Sequence, residues 1–195
     1  LEIAEYSQKL AAEKHSVLPK ALAYLEGRAF DDYIFDRDIA RRYAELNREA
    51  MIEVLTRGLG LKVTRKITTI HNYLDTKAMI LRKGAVSAQR GEELVLPLNM
   101  RDGSLLCEGK GAANWNYSAP HGAGRLMSRG QAKRTLALDD FKAQMRDIYT
   151  TSVHNHTLDE APGAYKNAAD IIRFVDETLT VKDVIKTVYN FKAAG

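Results

Sequence analysis

Near residue 60 the hydrophobic pattern of this chain changes its period, and that change restricts the fold more than any other feature. Before it, "IARRYAELNREAMIEVLTRGLG" spaces Ile39, Tyr43, Leu46, Ala50 and Val54 at steps of three and four, which is one face of a helix. Asp36 and Asp38 stand where anions complement a helix start, and Gly58 is a stop signal. Pro19 separates this helix from an earlier amphipathic one in "LEIAEYSQKLAAEKHS". After the change, "KVTRKITTIHNYL" is β-branched and partly alternating. "AMILRKG", "ELVLPLNM" and "GSLLCEG" follow as short runs bounded by turn residues, so residues 61–109 read as a small sheet. A loop rich in Gly, Asn and Pro covers 109–124. Helix returns at "LDDFKAQMRDIY", with Asp139 and Asp140 in its first turn, and "AADIIRFVDETLTVKDVIKTVYNFK" reads as a short helix and then a strand. The pattern predicts a mixed α/β (α+β) fold, N-terminal helices followed by a mixed sheet with flanking helices.

Composition narrows the function classes. No stretch approaches the ~20 apolar residues of a membrane span, and the first residues lack a basic-then-apolar leader profile. The single cysteine, Cys107, rules out an internal disulfide and fits a cytoplasmic location. The formal charge of +4 permits an anionic partner without demanding one. The 195 residues suffice for one substantial domain, and a start at Leu1 in mid-helix is expected of a piece cut from a longer chain.

The chemistry-bearing stretch is "SAPHGAGRLMSR". Gly122 and Gly124 let the backbone approach a ligand closely, so that successive N–H groups converge on an anion. A helix starting near Arg125 would add positive potential there, and Arg125 and Arg129, four apart, would share its face and neutralise a phosphate together. His121, with a reference pKa of ~6.5, is largely neutral near pH 7 and presents a nucleophilic nitrogen. Its attack on phosphorus would store a nucleotide as a phosphoramidate. On residue types alone a structural turn is the commoner explanation of the same letters.

"NWNYSAPHGAGRLMSRGQAKR" resembles the signature of the RtcB-type RNA-splicing ligases. "AYLEGRAFDDYIFD", "AELNREAM", "TTIHNYLD", "LRKGA", "LVLPLNMRDGSLLCEGKG", "YTTSVHNHTLDEAPGAYK" and "VYNFKA" match the family in the same order. The resemblance implies an RtcB-like fold and a GTP- and Mn2+-dependent ligase that joins RNA 3′-phosphate or 2′,3′-cyclic phosphate ends to 5′-hydroxyl ends. His121 would be the histidine that becomes guanylylated. Gly122, Ala123 and Gly124 would wrap the guanylate, Pro97, Leu98, Asn99 and Met100 would line its pocket, and Ser104 would lie just beyond. Tyr165 resembles a residue stacking near the guanine and Lys192 one that contacts the base. His71 resembles a manganese ligand, with Asn72 beside it in the nucleotide site. Arg125 and Arg129 are the candidates for phosphoryl charge. Without the family pattern, His71 reads as an edge or core histidine, Tyr165 as a packing anchor and Lys192 as a solvated lysine. His154 and His156, in "HNH", look like a metal pair, but the family pattern does not require them.

The resemblance also has a gap. The family's two-metal site needs an aspartate, a bridging cysteine and further histidines upstream of the matched motifs, and Cys107 is not that cysteine; a buried structural role is expected for it. Residues 1–195 therefore resemble the C-terminal portion of a single ligase domain without its upstream metal-binding portion. Such a portion is expected to be weak in ligation by itself and to expose apolar surface. The partners implied are RNA ends and GTP, with room for an accessory activating protein. Two other functions stay open: a non-catalytic remnant that binds guanine nucleotide or RNA, and a phosphate-handling hydrolase with His121 as nucleophile.

Overall fold

Helical spacing runs further upstream than its acidic residues suggest. In the computed structural model, which describes residues 2–192, a helix over Glu2–Lys14 (α1) precedes one over Arg28–Gly58 (α2). The longer helix thus starts well before Asp36 and Asp38, at Gly27 with φ +56, and stops at Gly58 as expected. Pro19 caps a single 3-10 turn, Lys20–Leu22, between the two. These helices make up one compact unit, Leu1–Lys66; the second is Ile67–Gly195. The apolar face of α2 is exposed: Ile39, Tyr43, Leu46 and Val54 all lie open, and no residue of α2 is buried.

The expected strand over residues 61–70 is absent. "LKVTRKITTI" has no regular structure: Leu61 and Val63 are exposed, and where the stretch reaches the sheet it does so through the Thr69 hydroxyl, which accepts the Val95 N–H at 2.9 Å, and not as a paired strand. Strand propensity is a matter of fitting a half-buried pleated face, and alternation alone does not supply one. The first strand is His71–Asp75 (β1), followed by Ile80–Ser87 (β2), Glu93–Asn99 (β3), Gly103–Gly109 (β4) and Ser118–Pro120 (β5). Helices over Arg129–Thr135 (α3), Leu138–Gln144 (α4) and Ala168–Val175 (α5) alternate with Tyr149–Thr150 (β6), Leu179–Ile185 (β7) and Tyr189–Asn190 (β8). The class is mixed α/β, but the single small sheet resolves into two antiparallel three-stranded sheets, β1-β2-β5 and β3-β4-β7, and a parallel pair, β6-β8.

Both three-stranded sheets bury their apolar residues in one core. Val86 and Ala119 from the first meet Leu94, Leu96, Leu105 and Cys107 from the second, closed by Ile171 and Val175 of α5. A satellite cluster of Phe141, Met145 and Leu158 gathers on Met100, just past β3. The first sheet also holds a buried charge. The Arg82 guanidinium donates to Ser118 Oγ at 2.9 Å, Tyr73 Oη at 3.0 Å and Asp75 Oδ2 at 3.3 Å, pinning β1 and the approach to β5 onto β2. Cys107 is buried as expected, and burial pushes its thiol pKa up to about 11.

Candidate active site

Strand order explains how two sequence-distant histidines meet. β2 is the central strand of its sheet: His71 opens β1 opposite Val86, and Pro120, just before His121, lies opposite Ala85. Between them β2 carries Gly84 at φ +66. The rings of His71 and His121 stack with centroids 5.0 Å apart. Asn72, itself left-handed at φ 58, accepts the Gly84 N–H on Oδ1 at 2.6 Å. Asparagine tolerates that conformation better than most residues, which fits its place here.

The Gly84 carbonyl decides the state of His121. It lies 2.7 Å from Nδ1, and a carbonyl only accepts, so Nδ1 carries the proton. In the neutral ring the lone pair is then on Nε2. This is how a histidine is prepared as a nucleophile: one nitrogen tied to a fixed acceptor, the other free to bond.

The turn after His121 docks on an open sheet edge. β3 is the outer strand of its sheet, the place where a strand tolerates Pro97. Its Pro97 carbonyl accepts the Ala123 N–H at 3.0 Å. A Cβ on Gly122 would stand 2.9 Å from that same carbonyl oxygen, so only glycine fits the approach. Behind β3, Asn99 Oδ1 accepts the N–H groups of Arg101 and Asp102 at 3.0 and 2.9 Å and shapes the hairpin to β4.

The result is a cavity of about 400 Å3. It gathers Pro97, Leu98, Asn99, Met100, Ser104, His121, Gly122, Ala123, Gly124, Arg125, Arg129, Tyr165 and Lys192, all expected from sequence. His71 and Asn72 do not line it; they stand behind His121 and Gly84. Gly103, Glu160, Thr187 and Asn190 complete the lining and were not singled out by sequence. A larger cavity of about 730 Å3, beside β2 and β5, holds none of the expected residues.

The two arginines do not act as the spacing suggested. The helix begins at Arg129, capped by the Ser128 hydroxyl, whereas Arg125 lies in an extended segment bridged to Tyr165. They therefore share no helix face. Arg125 stacks 4.8 Å above the Tyr165 ring, donates to its hydroxyl at 3.0 Å and also donates to the Asp159 carbonyl. Arg129 donates to Asp159 Oδ2 and Glu160 Oε1, both at 2.5 Å. Lys133 and Lys192 approach the same carboxylates at 3.6 and 3.3 Å. Two buried acids thus face four cations, which leaves the cluster positive beside the cavity.

Burial works to raise the pKa of Glu160, but the Tyr165 hydroxyl, the Lys192 ammonium and Arg129 outweigh it and hold the carboxyl below its ordinary value. Asp159 is likewise held low, Arg129 and Lys133 overcoming its burial. Burial and the hydrogen bond to Glu160 push the Tyr165 phenol up to about 12.

Among the described residues no group of three or more His, Cys, Asp or Glu side chains could hold a metal ion. His71 is the one expected ligand, and one imidazole does not make a tight site. His154 and His156 meet edge to face at 6.0 Å, and neither lines the cavity. No helix among the described residues is long and apolar enough to cross a membrane.

Comparison with known proteins gives this cavity its context. The sequence model of a family described as "tRNA-splicing ligase RtcB" matches residues 2–193. The chain is 31% identical over 211 residues to the RNA-splicing ligase RtcB of Escherichia coli strain K12, covering 96% of this chain and 49% of that protein. It is 35% identical over 109 residues to the tRNA-splicing ligase RtcB of Aeropyrum pernix, covering 47% of this chain and 22% of that protein. The corresponding protein of Pyrococcus horikoshii is 30% identical over 128 residues, 56% of this chain and 15% of the relative. The chain spans about half the length of its Escherichia coli relative. A match across nearly every residue, together with the seating of the histidine turn on β3, leads to one assignment: the chain belongs to the RtcB ligase family.

Proposed function

We propose that this chain carries the nucleotide-transfer part of an RNA ligase, with His121 as the nucleophile. The observation behind this reading is the Nδ1–H bond to the Gly84 carbonyl at 2.7 Å, which leaves the lone pair on Nε2 of a histidine lining the cavity. Nε2 attacks the α-phosphorus of GTP; the N–P bond forms as the P–O bond to pyrophosphate breaks. The Gly84 carbonyl stabilises the positive charge that develops on the ring. Arg125 and Arg129 keep the flanking cluster positive while they anchor Tyr165 and Glu160. The guanylate then passes to an RNA 3′-phosphate, and a 5′-hydroxyl displaces GMP to seal the strand. RNA ends are met through their phosphates, so binding weakens with salt.

Manganese dependence is part of the same proposal, by likeness to the family. His71 is the described residue that would contribute to such a metal, which would offset phosphoryl charge; an accessory activating protein fits the reading equally.

The test is labelling with GTP carrying label on the α-phosphate, in the presence of Mn2+, beside a His121→Ala variant. The expected result is an acid-labile, base-stable adduct on the parent and none on the variant. Equal labelling of both would remove His121 from the role. GTP binding without an adduct would favour a nucleotide-binding module instead, and GTP consumption without strand joining would favour a hydrolase.

A further inference from the structure

Among the described residues, Glu160 is the one carboxylate lining the cavity. Its side chain is only 12% exposed. A lone buried anion beside a phosphate site would repel the ligand and cost desolvation, so its presence needs a compensating arrangement. That arrangement is specific. Oε2 accepts the Tyr165 hydroxyl at 2.8 Å and lies 3.3 Å from the Lys192 ammonium, while Oε1 accepts from Arg129 at 2.5 Å. Lys192 is the last described residue, just past Tyr189–Asn190 and Phe191, and its long, flexible side chain loses much rotamer freedom when it is held in one place. One carboxylate oxygen therefore fixes both side chains that face the base in the guanylate reading.

We propose that Glu160 is the positioning residue that sets base preference, holding the Lys192 ammonium and the Tyr165 hydroxyl where a guanine, and not an adenine, is accepted. The inference rests on the reading of this cavity as a guanylate site. Guanine carries an acceptor oxygen at its 6-position, and adenine carries an amino donor at the same place. An ammonium has three donors and no acceptor, so once immobilised it bonds guanine there and leaves the adenine amino group facing a like donor. An unfixed lysine swings away and loses that discrimination. The charge of Glu160 is balanced by its cations, so it holds Lys192 without repelling the phosphates.

The experiment is displacement of a fluorescent GTP analogue from the 195-residue chain by GTP and by ATP, for the parent, Glu160→Gln, Lys192→Met and the double variant. It needs no chemistry at His121. Glu160→Gln is expected to weaken GTP about tenfold or more, to weaken ATP far less, and so to collapse the GTP-to-ATP ratio. The double variant is expected to be no worse than Lys192→Met, since both act through one ammonium. Asp159→Asn, which breaks ion pairs of the same cluster but does not line the cavity, is expected to lower thermal stability and leave the ratio unchanged. A Glu160→Gln chain with the parent's ratio, or effects of the two variants that add, would overturn the proposal, as would a parent chain that binds no GTP. If the ratio collapses as stated but the parent forms no adduct on His121, this inference stands and the ligase reading falls.

Discussion

Replacing Asn72 by alanine removes the acceptor that holds the Gly84 N–H at 2.6 Å, and Gly84 carries the carbonyl that orients His121. The expected result is a fall in the rate of guanylate transfer to His121 of about tenfold or more, the usual scale for a group that orients a reacting one. GTP affinity, read by displacement, stays near the parent's; a loss confined to affinity would place Asn72 against the nucleotide instead. Arg82 offers a stability test. Arg82→Met takes the ion pair from Asp75, which keeps the Lys77 and Ala78 N–H groups, and frees β1 and β5 from the bond set at β2; it is expected to cost about 2 kcal/mol in urea unfolding. At this scale the sequence was most legible where chemistry is compressed into neighbours. His121, Gly122 and Gly124 sit together in one turn, and residue type together with the family resemblance singles that turn out. Glu160 was not legible, because its meaning comes from Arg129, 31 residues before it, and from Lys192, about as far after it.

The segment Asn155–Glu160, a run of 3-10 turns, carries charge links to α3, through Arg129 and Lys133 on Asp159 and Arg129 on Glu160. Both carboxyls are held below their ordinary values, so the stability they contribute is complete above their unfolded pKa values of about 4. It is lost as the pH falls through the lowered folded values. Acid titration followed by circular dichroism should show this loss below about pH 4, with a shallower slope in Asp159→Asn; an unchanged slope would count against the charge link. Elements were readable where turn residues enclosed them: "GSLLCEG" is β4 to the residue, bounded by Gly103 and Gly109. "KVTRKITT" failed because its alternation found no partner strand. The arginine pair failed because a Ser128 cap, not Arg125, begins the helix.

Across the whole molecule, apolar surface is distributed unevenly. The core of Ile67–Gly195 is closed around both sheets, whereas α2 runs 31 residues with none buried and shows Phe35, Ile39 and Tyr43 to solvent. Faces of that kind bind other apolar surfaces, so concentration-dependent self-association is expected by sedimentation, and a strictly monomeric chain at high concentration would contradict it. Fold class was legible at this scale because the change of period is a property of the whole chain. The division into two units was not, since no linker composition marks Lys66. Cys107 has a consequence for how the molecule can be followed in time. It lies on the central strand of the second sheet, 1% exposed, with its thiol pushed up to about 11. An alkylating reagent reaches it only when β4 parts from a neighbour, so the reaction becomes a clock that ticks once per opening. Because β3 and β4 also wall the cavity, a nucleotide seated there should slow that clock in proportion to its occupancy, and the single cysteine would report binding through time rather than through contact.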